Sequence, residues 1–78
     1  MFKPKTYIEV CMAMQTRAVV CFQTSGEIDN IIGIVNGIEA EDGSGRNWNI
    51  NIVLTEDCIR RGNKEHKKNE TINFFWKE

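Results

Sequence analysis

Apolar residues fall on even-numbered positions through much of this 78-residue chain, and that alternation is its strongest signal. In the run from Asn47 to Leu54, Trp48, Ile50, Ile52 and Leu54 alternate with Asn47, Asn49 and Asn51. A pleated strand gathers those four apolar side chains on one face, whereas a helix scatters them around its axis. Upstream, Ile28, Ile32, Ile34, Ile38 and Ala40 share the same parity, with Glu27, Asp29, Glu39 and Glu41 on odd positions. The spacing predicts a strand over residues 27–41, longer than the common length of about 5–6 residues. Gly33 and Gly37 then serve as bend points, so that one strand contributes to two sheets of a small barrel.

Between these runs lies Asp42-Gly43-Ser44-Gly45, a hairpin signal. If both even faces point into one core, directly paired residues must share parity. A loop of two or four residues breaks that condition. A three-residue loop, Gly43-Ser44-Gly45, satisfies it and pairs Asp42 with Arg46, Ala40 with Trp48 and Ile38 with Ile50. Such loops place a left-handed residue before a bulge, and Gly45 suits that conformation.

Residues 17–24 read as a strand through Ala18, Val20 and Phe22, and Ile72, Phe74 and Trp76 mark a last strand near the C-terminus. Residues 5–15 admit two readings. Ile8, Val10, Met12 and Met14 alternate as in a strand, the preferred reading. The segment is also rich in helix formers, and Ile8, Cys11, Met12, Ala18 and Val19 make a passable helical stripe. Over residues 55–70, Thr55 caps a short helical turn with Glu56 and Asp57 at its positive end, Gly62-Asn63 stops it, and residues 64–70 form a solvated loop.

The expected fold is therefore an all-β single domain over residues 1–78. It is a small five-stranded antiparallel half-open barrel of the SH3, Sm or OB kind, with a short helical turn before the last strand. The expected inward set is Ile8, Val10, Met12, Val20, Phe22, Ile32, Ile34, Ile38, Trp48, Ile50, Ile52, Leu54, Ile72, Phe74 and Trp76. Surface scaling gives a folded accessible area of roughly 4,900 Å² for this mass and excludes the large dinucleotide-binding and (β/α)₈ folds.

Ten Lys and Arg against eleven Asp and Glu leave a formal charge of −1, too even for a histone-like arm or a wholesale acidic DNA mimic. Cys11, Cys21 and Cys58 are odd in number and widely spaced, which fits reduced thiols in a cytoplasm better than a disulfide framework. The start Met-Phe-Lys-Pro-Lys precedes no long apolar segment, and Tyr7 to Met14 is too short to span a bilayer and contains Glu9. The expectation is a cytoplasmic chain with no signal peptide and no membrane partner.

No residue set points to catalysis, a cofactor or a metal. His66 stands among lysines, with no second ligand or orienting carboxylate fixed beside it by the local pattern. Ser25 and Ser44 are turn residues without a nearby histidine, and the cysteines lack an activating partner. Gly43-Ser44-Gly45-Arg46 lacks the strand-to-helix setting and lysine of a phosphate-binding loop.

Binding surfaces are better supported. Glu27, Asp29, Glu39, Glu41 and Asp42, followed by Arg46, form an acidic end suited to docking on a basic surface of another protein. At the other end Arg60, Arg61, Lys64, Lys67 and Lys68, against Glu65 alone, form a basic loop. Such a loop can hold phosphates while Phe75 or Tyr7 stacks on bases. Either set also reads as ordinary solvated surface. Outward amides at 47, 49 and 51 can bond another strand, and an edge near Asn47 or Asn73 can pair with a second copy to form a homodimer.

The stretch from Gly33 to Ile50, GIVNGIEAEDGSGRNWNI, resembles the central hairpin of short phage-encoded proteins and the middle strands of Sm-like and SH3-like barrels. That resemblance implies a small barrel acting by occupancy, such as a phage-type inhibitor that blocks a host protein, anti-CRISPR and other anti-defence proteins included. The first expectation is thus a protein-interaction module acting through the acidic hairpin in the host cytoplasm. The alternative is a nucleic-acid-binding barrel using the basic loop.

Overall fold

The computed structural model describes residues 1–41 and 43–78. Its accessible surface is 4952 Å², as expected for the chain's mass. Among the described residues a helix, α1 (Tyr7–Thr16), precedes six strands: β1 (Val20–Phe22), β2 (Ile31–Ala40), β3 (Asn47–Leu54), β4 (Cys58–Arg60), β5 (Lys64–His66) and β6 (Thr71–Lys77). β1, β2, β3 and β6 form one antiparallel sheet in the order β1-β2-β3-β6, curled into a half-barrel, and β4 and β5 form a separate hairpin. The fold is mostly β, with one helix among the described residues where an all-β chain was expected.

The strand preferred over residues 5–15 is that helix. Its start is a capping box: Thr6 Oγ1 accepts the Glu9 N–H at 3.2 Å, and Glu9 Oε1 accepts the Thr6 N–H at 3.1 Å. Its end is a Schellman arrangement around Arg17, left-handed at φ 55°. Arg17 N–H donates to Met14 O and Ala18 N–H to Ala13 O. Val10 and Ala13 enter the core, whereas Ile8 and Met12, expected inside, face outward. Tyr7 stacks on Trp48 with ring centroids 4.2 Å apart.

The hairpin from β2 to β3 has the register expected from parity: Ala40 pairs with Trp48 and Ile38 with Ile50. Gly45 is left-handed, at φ 74°. The expected Asp42–Arg46 pair lies outside the described residues. Toward the other end of β2 the expectation fails. Val35 pairs with Ile52 and Gly37 with Asn51, so Asn36 is an extra residue in a bulge that shifts the inward parity. Ile31 and Val35 are therefore buried, while Ile32 and Ile34 are only partly covered. A side chain on Gly33 would meet Val53 O at 2.1 Å, which shows how closely the coiled strands approach there.

The strand expected over 27–41 begins at Ile31, leaving Glu27 and Asp29 in the preceding loop, and the strand expected over 17–24 spans only Val20–Phe22. Residues 58–66 form a hairpin in place of a helical turn and solvated loop. Gly62 and Asn63 both take positive φ, which a tight reversal uses. Thr55 caps no helix; its N–H donates to Ile32 O at 3.0 Å.

Ile72, Phe74 and Trp76 bury the inner face of β6 against Ile50, Ile52 and Leu54 of β3, as the alternation predicts. Phe22 closes the core, meeting Phe74 and Trp76 edge-on at 5.0 and 5.8 Å. Cys21 and Cys58 are buried and Cys11 is half-buried, all three as free thiols. Among the described residues no helix is long and apolar enough to cross a membrane.

Candidate functional site

Phe75 is the outward aromatic of β6. The inward demand of Phe74 and Trp76 leaves it 54% exposed on the outer face. Beside it a cleft of about 490 Å³ separates β6 from the β4–β5 hairpin and the Thr24–Ser25 turn. Arg60, Arg61, Lys64 and His66 line the cleft from the hairpin side, with Glu27 below them. A second recess of about 290 Å³ continues past Phe75 to Lys77, its far wall formed by Gln23, Thr24 and Ser25.

The backbone edge of β6 faces this cleft. Glu78 N–H donates to Arg46 O, so the even-numbered members of β6 bond β3 and the odd-numbered ones point away. Asn73 shows the outward phase, its carbonyl accepting Arg60 Nη1–H at 3.0 Å. Among the described residues, the outward N–H and C=O groups of Phe75 and Lys77 have no hydrogen-bond partner.

The basic set divides. Arg60, Arg61 and Lys64 converge on the cleft, whereas Lys67 and Lys68 lie outside its walls. Lys67 Nζ stands 3.6 Å from Glu65, and Lys68 N–H donates to Asp57 at 2.8 Å. Arg60 is a fixed strut: its Nε and Nη2 each reach the Glu27 carboxylate at 3.2 Å. These hydrogen bonds hold the Glu27 carboxyl below its ordinary pKa against the opposing effect of burial. Arg61 Nε–H donates to Gly26 O at 3.2 Å and its Nη2 fills the space beside Gly26, while among the described residues Arg61 Nη1 and the Lys64 ammonium have no hydrogen-bond partner and can meet a ligand.

The acidic set divides as well, and the two charged ends expected to lie apart meet at Glu27 and Arg60. Asp29 takes the Ile59 N–H on its carboxylate at 2.8 Å and donates its own N–H to Ile59 O, pairing its loop with β4. Glu39, Glu41 and Arg46 remain exposed at the far hairpin tip; Asp42 lies outside the described residues.

The expectation that His66 lacks an orienting carboxylate fails, because Glu70, four residues along the chain, supplies one. Glu70 Oε1 lies 3.1 Å from His66 Nδ1, while Glu70 Oε2 accepts the Lys67 N–H at 2.8 Å. The Lys67 hydrogen bond and the His66 ring together hold the Glu70 carboxyl below its ordinary range. The outward amides also find each other: Asn73 Nδ2 donates to Asn49 Oδ1 and, at 2.9 Å, to Asn51 Oδ1. Asn47 lies on a central strand, so of the two expected edge positions only Asn73 is at an edge.

Cys58 is buried, which raises its thiol pKa and weakens it as a nucleophile. Among the described residues no three His, Cys, Asp or Glu side chains converge as metal ligands. Comparison with protein-family models, curated proteins and solved structures finds no match to the chain.

Proposed function

We propose that this chain is a non-enzymatic binding module, a small half-barrel of the SH3, Sm or OB kind, whose cleft along β6 takes a short single strand of nucleic acid. The observation that carries this reading is the placement of exposed Phe75 in the same cleft as Arg61 and Lys64. A base stacks on an aromatic face without regard to its identity, while neighbouring cations neutralise the phosphates. The outward backbone groups of Phe75 and Lys77 add donors and acceptors for base edges. Arg60 acts as scaffold, since Glu27 and Asn73 already hold it.

Fluorescence anisotropy with a labelled single-stranded DNA and its RNA counterpart, at two salt concentrations, tests the reading. Neutralising two to three phosphates gives a slope of log K against log salt of roughly −1.4 to −2.1. Changing Arg61 and Lys64 together to Ser should lower both affinity and slope. Absence of binding at low salt, or binding indifferent to that double change, rejects this function.

The protein-interaction reading, with the phage-type inhibitor as its concrete form, keeps a narrower surface. Glu39, Glu41 and Arg46 at the far tip are exposed, and their side chains have no partner among the described residues. A protein captured from host lysate that is lost on reversing Glu39 and Glu41 to Lys, with nucleic acid ignored, would favour that reading instead.

A further inference from the structure

Helix α1 is apolar on the side that faces away from the core as well as on the side that faces it. Val10 and Ala13 are buried, yet Ile8 and Met12, one turn apart, are 68% and 59% exposed. Beside this ridge runs a groove of about 430 Å³, walled by Phe2, Met12, Ala13 and Ala18, with Glu9 and Thr16 as its polar members. Phe2 itself is 43% exposed, and Val19, next to Ala18, is exposed too. With about 100 Å² from each of these four large side chains, the patch reaches roughly 400 Å², within the size range of patches that mark interaction sites. A helix meant for water would carry charges here.

We infer that two copies of this chain associate through these faces, α1 against α1 about a two-fold axis near Met12. Ridge and groove lie side by side on one surface, so a two-fold rotation seats the Met12 ridge of each copy in the groove of the other. An antiparallel crossing at Met12 also brings Glu9, in the first turn, toward the partner copy's C-terminal helix end, where Arg17 stands. The Glu9 carboxylate accepts its hydrogen bonds from Lys5 and Thr6 through Oε1, which leaves Oε2 for that charge. The apolar patch, even with a polar rim of Gln15, Thr16 and Arg17, is smaller than the roughly 800 Å² per partner of a standard interface. The association is therefore concentration-dependent rather than obligate. The nucleic-acid cleft, on β6 and the β4–β5 hairpin, takes no part in it.

Sedimentation equilibrium from about 10 µM to about 1 mM, with the wild-type chain, Met12→Lys and Ile8→Lys, tests the inference. The wild type should shift from monomer to dimer across that range. Met12→Lys should raise the dissociation constant about a hundredfold or more, because the axis buries the new charge twice. Both positions are exposed in the monomer, so circular dichroism of the variants should match the wild type. Lys64→Ser should dimerise unchanged. A wild type that stays monomeric throughout overturns the inference. So does a dimer that survives both lysine substitutions, or one that dissolves only when the β6 edge is blocked by Phe75→Pro. Binding of neutral phosphatidylcholine vesicles by a persistent monomer would mean that lipid covers the patch, and would overturn it equally.

Discussion

The carboxylate of Glu27 is gripped at both oxygens by the guanidinium of Arg60, 33 residues further along the chain, with both contacts at 3.2 Å. This pair ties the loop before β2 to the β4–β5 hairpin, and the same guanidinium reaches on to the β6 backbone. Three segments far apart in sequence are joined by one side chain.

Because both partners are partly buried, Glu27→Gln should lower stability by about 1 kcal/mol near neutral pH. The Glu27 pKa is depressed in the folded chain. Its contribution is therefore complete above the unfolded carboxyl pKa of about 4.3 and is lost as pH falls through the folded value. Urea midpoints measured between about pH 7 and pH 3 should fall less steeply for Glu27→Gln than for wild type. Parallel curves would show that the pair adds no net stability.

Gly33 and Gly37 both lie in β2, yet their replacement by Ala should differ sharply. At Gly33 a methyl would meet Val53 backbone oxygen at 2.1 Å, and backbone must move; a loss of about 2–3 kcal/mol or more is expected. At Gly37 the nearest atom is the Asn51 side-chain amide nitrogen at 3.3 Å, which can turn aside, so the change should be under about 1 kcal/mol. Thermal or urea unfolding of the two variants checks the order.

Phe75→Ala should weaken single-strand binding by about tenfold, within the usual range for one base stacked on an aromatic ring. Since Phe75 lies outside the core, its unfolding midpoint should stay close to wild type. Phe74→Ala, one residue earlier but buried against Phe22, should instead cost about 3–5 kcal/mol of stability. Equal behaviour of the two variants would contradict the assignment of β6 faces.

Thr6→Ala removes the side chain that opens α1 and should destabilise the chain by about 1 kcal/mol. The loss should appear first as faster amide exchange in the first helical turn. Unchanged exchange there would show that packing of Val10 and Ala13 alone holds the helix.

Alternation alone determined the inner faces of β3 and β6, and shared parity determined the pairing of Ala40 with Trp48 and Ile38 with Ile50. Those features are local: a strand has period 2, and a short loop permits few registers. The basic residues and outward Phe75 were legible singly, but their convergence was not. It depends on a second hairpin folding back along the open edge of β6, and long-range contacts decide that. Helix α1 escaped a reading by hydrophobic alternation because its Ile8–Met12 face is apolar yet unburied, and its cap residue Arg17 takes a conformation more usual for glycine. The Asn36 bulge escaped it too, since Ile32 and Ile34 fit the period as well as Ile31 and Val35 do. Only the curl of β2 over the core chooses between those sets, because one extra residue exchanges the face that every later side chain presents.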